Sequence, residues 1–170
     1  RLSNLSDPSG FLGHLYQVTD EAGTHTFLRN DAGEILSRTS LLAGQSLTLS
    51  YVYDNLGRID TITYPSGLVV DYDYDGFGDI DKVSASGAGL AASDVVTDID
   101  HYPFGPIEEF TYGNGEQRSI ILDLAYRTHR INSGTHFSYT YGYDANDNIT
   151  SFTGRTYSYD LMDRLDTHSG

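Results

Sequence analysis

Along this chain apolar and polar residues alternate in short runs instead of recurring every third or fourth position. Leu47, Leu49, Tyr51 and Tyr53 fall on one side of an extended segment, opposite Thr48, Ser50, Val52 and Asp54. Leu68, Val70, Tyr72 and Tyr74 alternate in the same way with Val69, Asp71, Asp73 and Asp75, and Phe137, Tyr139, Tyr141 and Tyr143 form a third stripe. Ile120, Leu122 and Leu124 mark a fourth. A period of two puts each set on one face of a β-strand. Helical stripes are almost absent, because Gly or β-branched residues interrupt every candidate window. The expected fold class is all-β, an antiparallel meander of about ten to thirteen short strands.

The runs are joined by turn signals that recur in register. Tyr51-Val-Tyr53-Asp54-Asn-Leu-Gly57-Arg58-Ile59 sets a pattern that Tyr72-Asp-Tyr74-Asp75-Gly-Phe-Gly78-Asp79-Ile80 repeats. Tyr141-Gly-Tyr143-Asp144-Ala-Asn-Asp147-Asn148-Ile149 and Tyr157-Ser-Tyr159-Asp160-Leu-Met-Asp163-Arg164-Leu165 repeat it again. A worn copy runs from Phe27 to Ile35, Asp20 to Gly23 keeps only the turn, and Ala125 to Ile131 reads as a degenerate unit. The two tyrosines share a strand face, and the Asp starts a turn by accepting backbone N–H bonds. Gly33, Gly57, Gly78, Asp147 and Asp163 occupy the position where a hairpin with a G1 bulge needs positive φ. Each unit therefore reads as strand, tight turn, strand. Residues 1–170 form one repeat region, clearest over 47–83 and 137–167, with Ser84–Ser93 expected as a flexible loop.

Composition narrows the function classes. The 170 residues carry 10 Lys+Arg against 24 Asp+Glu, a formal charge of −14, which disfavours nucleic-acid backbones and anionic lipid. There is no cysteine, so thiol nucleophiles and cysteine metal sites are excluded. No run is long enough for a membrane-spanning helix. Aromatic residues are 14 Tyr and 7 Phe with no Trp. The chain starts at Arg1, which suggests an excised piece of a longer protein.

The pattern Tyr-x-Tyr-Asp-x-x-Gly-Arg-Ile resembles the YD repeat of Rhs/YD-repeat proteins: bacterial polymorphic toxins, the C components of insecticidal toxin complexes and the teneurins. Residues 53–59 fit it closely, and the resemblance covers residues 16–167. It implies a β-strip that spirals into a hollow, solenoid-like shell, secreted or at the cell surface of bacteria, in which a C-terminal toxin or other polypeptide cargo is encapsulated. It implies no cofactor. Expected partners are the remainder of a longer chain, its cargo, and other copies through open sheet edges. The family's toxin-release motif has no match; the only Asp-Pro-x-Gly is Asp7-Pro8-Ser9-Gly10.

No catalytic constellation stands out. Asp71-Tyr-Asp73-Tyr-Asp75-Gly76 matches the first half of a calcium-binding EF-hand loop, but its twelfth position is Lys82 in place of Glu. The same three Asp also read as the solvated face of a strand, making them a weak metal candidate. His14, His25, His101, His129, His136 and His168 show no short metal-ligand spacing, and neither a nucleophile elbow nor a phosphate-cradling loop occurs. The repeat positions carry the reading: Tyr51, Tyr53, Asp54, Gly57, Tyr72, Tyr74, Asp75, Gly78, Tyr141, Tyr143, Asp144, Tyr157, Tyr159 and Asp160. The expectation is a non-enzymatic structural segment of a cargo-encapsulating shell. The alternative is an extracellular adhesion or carbohydrate-binding module whose tyrosine faces stack on sugars.

Overall fold

The computed structural model describes residues 14–169, so Asp7-Pro8-Ser9-Gly10 lies outside them. Among the described residues there are fifteen strands and no helix, and the strands pair in chain order. The chain divides into two compact units between Asp94 and Val95. The first holds β1 (Gln17–Thr19), β2 (Gly23–Arg29), β3 (Ile35–Leu42), β4 (Gln45–Tyr53), β5 (Ile59–Thr63), β6 (Leu68–Tyr74), β7 (Ile80–Gly87) and the opening of β8 (Leu90–His101). The second holds the rest of β8 with β9 (Ile107–Tyr112), β10 (Gln117–Leu122), β11 (Thr128–Ser133), β12 (Phe137–Tyr143), β13 (Ile149–Phe152), β14 (Arg155–Tyr159) and β15 (Leu165–Ser169).

Register converts the alternation of the sequence into two chemically distinct faces, because residues directly opposite in a ladder share a side. In the first unit Tyr51 lies opposite Ile62, which lies opposite Val70, which lies opposite Ala85. In the second, Ile120 lies opposite Ile131, Ile131 opposite Tyr139, and Tyr141 opposite Phe152. These are the aromatic faces. The opposite faces are laddered by hydroxyls: Thr39 and Thr48 are 3.0 Å apart, Ser158 and Thr167 2.7 Å, and Thr156 and Ser169 2.6 Å.

Among the described residues only Ala85 and Ser133 are buried, at 7% and 5% exposure. A single layer of sheet leaves its apolar side half in water, which is the condition expected of repeats that rely on a neighbour for cover.

Two local expectations are corrected. Ser84–Ser93 is not a loop: β7 runs to Gly87 and β8 starts at Leu90, joined by a two-residue turn at Ala88 and Gly89 with φ of 52° and 86°. Both residues are left-handed, as such a hairpin turn requires. Leu124 is not a strand residue either; β10 ends at Leu122, and Leu124 stands fully exposed in the turn that follows.

Gly87 is closely packed. Its φ is 79°, and a β-carbon there would run into the backbone carbonyl of Gly67. Gly87→Ala is expected to destabilise the first unit by about 1–3 kcal/mol, read as a lower urea midpoint at unchanged slope.

Candidate functional site

The repeat positions come together in two rows of turns, one in each unit. Every turn is built alike. The N–H of the leading residue donates to the carbonyl four residues on, and the N–H three residues on donates back to the leading carbonyl. This holds at Asn30, Asp54, Asp75, Asp123, Asp144 and Asp160, with N···O distances of 2.8–3.4 Å. The fourth residue has positive φ throughout: Gly33 86°, Gly57 77°, Gly78 97°, Tyr126 63°, Asp147 69° and Asp163 58°.

The leading carboxylate holds the turn from inside. Asp54 Oδ1 accepts the N–H groups of Leu56 (2.8 Å) and Arg58 (2.9 Å), while Arg58 donates to Oδ2 through Nε (2.7 Å) and Nη2 (2.6 Å). Asp123 with Arg127 and Asp160 with Arg164 reproduce this arrangement within a few tenths of an ångström. Asp144 does the same with the Asn148 amide, and in the worn copy the polarity reverses, Asn30 donating to Glu34 at 2.6 Å. The guanidinium's Nε–H and Nη2–H converge on Oδ2 while Oδ1 takes the backbone N–H groups, so one charged, multi-donor side chain satisfies the outer oxygen, which explains Arg at the fifth position.

Neighbouring turns are tied through that fifth residue. Arg127 donates to Asp147 Oδ1 at 2.6 Å and to the Asp144 carbonyl at 3.1 Å, and it lies 4.5 Å over the Tyr143 ring. Asn148 donates to Asp163 Oδ1 at 2.9 Å. Asp147 and Asp163, where the repeat departs from Gly, are thus the left-handed residues whose carboxylates take a bond from the preceding turn. In the first unit Arg58 lies 4.0 Å over the Tyr74 ring instead, with Gly at the left-handed position.

The second tyrosine of each repeat ties strands. Tyr53 donates its hydroxyl to the Ile35 carbonyl (3.0 Å), Tyr74 to Ile59 (2.6 Å), Tyr143 to Thr128 (2.7 Å) and Tyr159 to Ile149 (3.0 Å). Each acceptor is the sixth residue of the preceding turn, so one repeat is bonded to the next at a fixed point. Burial raises the pKa of Tyr53 and Tyr143, which keeps these hydroxyls protonated as donors. The first tyrosines, Tyr51, Tyr72, Tyr141 and Tyr157, lie on the same faces; Tyr141 packs on Phe152 at 5.0 Å.

Sequence reasoning placed one unit out of register, at Ala125 to Ile131, where the turn opens at Asp123, and missed another at Tyr102. The turn at Asp123 was hidden because Tyr126 fills the left-handed position, unusual for a bulky residue; the Asp-to-Arg spacing of four that it shares with Asp54 and Asp160 was the signal. Tyr102-Pro103-Phe104-Gly105-Pro106 closes with the same two backbone bonds at 2.8 Å, without an Asp. Its Tyr102 hydroxyl donates to the Ile120 carbonyl at 3.0 Å.

The acidic triplet singled out in the sequence is engaged in turn and strand contacts. Asp75 Oδ1 accepts three backbone N–H groups (Phe77, Gly78, Asp79) at 2.8–2.9 Å, and Asp71 accepts from Thr61 Oγ1 at 3.0 Å on the hydroxyl face. Asp73 lies opposite Lys82. Among the described residues no three His, Cys, Asp or Glu stand close enough to hold a metal ion. Ser133, Glu116 and His136 gather in one place, but the order is wrong for nucleophile activation. Ser133 donates to Glu116 at 2.7 Å, and the His136 ring is 3.0 Å from the other Glu116 oxygen, so the acid separates the hydroxyl from the imidazole.

Ionised carboxylates hold the turns, so the rows respond to acid. The pKa of Asp54 is lowered chiefly by the Arg58 backbone N–H, and that of Asp123 by the Arg127 backbone N–H. For Asp144 the main cause is the Asn148 amide, and for Asp160 the Arg164 guanidinium. A folded-state pKa below the unfolded value contributes stability that is complete above the unfolded value and is lost as pH falls through the folded one. The urea midpoint is therefore expected to stay level from about pH 7 to about pH 5 and to drop below about pH 4, where free Asp protonates.

No protein-family model matches the chain, and no curated protein does. Solved structures do. A TcdB2–TccC3 crystal structure matches 90% of this chain at TM-score 0.84 and 18% identity. The same complex without its hypervariable C-terminal region matches 90% at 0.82, and the Tc holotoxin pore of Photorhabdus luminescens 90% at 0.82, both at 18% identity. The match survives without the hypervariable C-terminal region, so the matched segment lies elsewhere in that chain. This chain spans about a tenth of each matched chain, 10% for the first and 9% for the others. By its fold, this chain is similar to a segment of these toxin-complex chains, in keeping with the Rhs/YD-repeat resemblance of its sequence.

Proposed function

We propose that this chain is a stretch of non-catalytic wall in a larger secreted bacterial Rhs/YD-repeat shell, whose enclosed space holds a polypeptide cargo. The observation that carries this reading is the aromatic face of each unit, built from self-similar repeats and half-exposed among the described residues. A repeat cannot bury its own apolar face, so something beyond the repeat must lie against it. Further repeats of a longer chain and an enclosed polypeptide supply that cover. Support for a non-catalytic role comes from where the chemical groups go. The repeat carboxylates and the second tyrosines of the repeats are held in bonds that close turns or join repeats.

The test is protease protection in a longer chain that contains this segment. The enclosed polypeptide is expected to survive a digestion that degrades the same polypeptide expressed alone. Equal digestion rates would remove the enclosure reading. A denaturant pulse that opens the wall should abolish the protection.

A further inference from the structure

A chain of formal charge −14 suggests a basic partner, yet the aromatic faces carry charge of the other sign. In the first unit Arg29 and Arg38 stand on the aromatic face, with Arg38 opposite both Phe27 and Leu49. In the second, Arg118 lies opposite Phe110 and Arg155 opposite Phe152. The paired positions of these faces in β2–β7 and in β9–β14 hold no carboxylate. The strand carboxylates pair on the hydroxyl faces: Asp71 with Ser84, Asp73 with Lys82, and Glu109 with Ser119. Glu108, two residues before Phe110 in β9, shares the side of Phe110 at the exposed start of that strand. Of the turn carboxylates, Asp54, Asp123 and Asp160 are paired with the arginines of their own turns, whereas Glu34 bonds Asn30, Asp144 bonds Asn148, and Glu116 accepts from Ser133 on the second unit's aromatic face, opposite Arg118.

Two of the aromatic-face cations also have an idle donor. The Nε atoms of Arg29 and Arg118 are shielded from solvent and have no hydrogen-bond partner. A shielded donor without an acceptor is costly, and an oxygen brought by an occupant would remove that cost once the side chain turns toward it. At contact distance, inside a Debye length of about 8 Å, the charge of the face outweighs the net charge of the chain in choosing among partners.

From this we infer that the aromatic faces select a polypeptide segment combining apolar side chains with Asp or Glu, and discriminate against a Lys- or Arg-rich one. The inference rests on the wall reading and names the chemistry of what the wall contacts. Apolar side chains of the segment cover the tyrosine and isoleucine stripes of a face, and its carboxylates meet that face's arginines, Arg29 and Arg38 in the first unit or Arg118 and Arg155 in the second.

The chain has no Trp, so a peptide carrying one reports binding without background. Two peptides of equal length and identical apolar residues, one with Glu and one with Lys at the polar positions, would be titrated against the full chain at low and physiological salt. The Glu peptide is expected to bind at least ~10-fold more tightly, the difference shrinking with salt. A variant carrying Arg29→Gln, Arg38→Gln, Arg118→Gln and Arg155→Gln is expected to bind both peptides alike. Its far-ultraviolet circular dichroism and urea midpoint report whether the sheet is intact, and Arg38→Gln with Arg155→Gln, at exposed positions, serves if the fourfold variant unfolds. Preference for the Lys peptide, equal binding by the unsubstituted chain, or no binding of either would each overturn the inference. Equal binding would do so while leaving the wall reading standing, which the protection experiment decides separately.

Discussion

Replacing Tyr53, Tyr74, Tyr143 and Tyr159 together with Phe is expected to lower the unfolding free energy, summed over the two units, by about 4 kcal/mol. Each hydroxyl donates to a backbone carbonyl of the preceding turn at 2.6–3.0 Å. A net hydrogen bond of this kind contributes about 1 kcal/mol, and the four ties belong to separate turns, so their losses should add. The matched control is the set of first tyrosines: Phe at Tyr51, Tyr72, Tyr141 and Tyr157 keeps every ring and removes none of these ties. That variant is expected to stay within about 0.5 kcal/mol per site. Urea unfolding of the two variants separates a packing role, which both would preserve, from the hydroxyl tie that only one removes. Equal stability of the two would show that the ties between repeats do not hold the units together.

The second large effect lies on the aromatic face of the second unit. Phe152 packs 5.0 Å from the Tyr141 ring and 5.4 Å from Tyr139, and it lines an open groove of 390 Å³ with Ile149, Tyr157, Tyr159 and Leu165. Phe152→Ala removes a half-buried ring and two aromatic contacts. About 2 kcal/mol of destabilisation is expected, roughly half the cost at a fully buried site. Leu161→Ala, at a fully exposed turn residue, should change stability by less than about 0.5 kcal/mol. Together the pair locates the apolar energy of the fold on the sheet face and not at the turn tips, although the tips display large hydrophobic residues such as Phe77 and Leu124.

The architecture was legible because its two signals are strictly local. Alternation assigns a face, and an Asp followed three residues later by Gly or Asp assigns a turn; both survive without knowledge of any distant contact. Ser84–Ser93 was misread for the converse reason. Its Ser, Ala and Gly residues have the composition of a loop, but β7 and β8 there are specified by pairing with neighbours and by the left-handed pair Ala88 and Gly89. Tyr126 concealed the turn at Asp123 because a bulky aromatic is held left-handed by bonds that composition does not display. The link from Arg127 to Asp147 could not be read from either residue alone, since the two lie 20 positions apart and meet only when successive turns come side by side. Asp71, Asp73 and Asp75 look like a ligand set in one dimension, but the fold sends the first two to a sheet face and gives Asp75 to its own turn.

The most direct measurement is a cryo-electron microscopy reconstruction of a longer chain containing residues 14–169, determined with its polypeptide cargo and again with the cargo deleted. If the account holds, these strands line a closed space, the aromatic faces look onto density that disappears with the cargo, and the turn rows are unchanged. Aromatic faces bathed in bulk solvent in both reconstructions would contradict it.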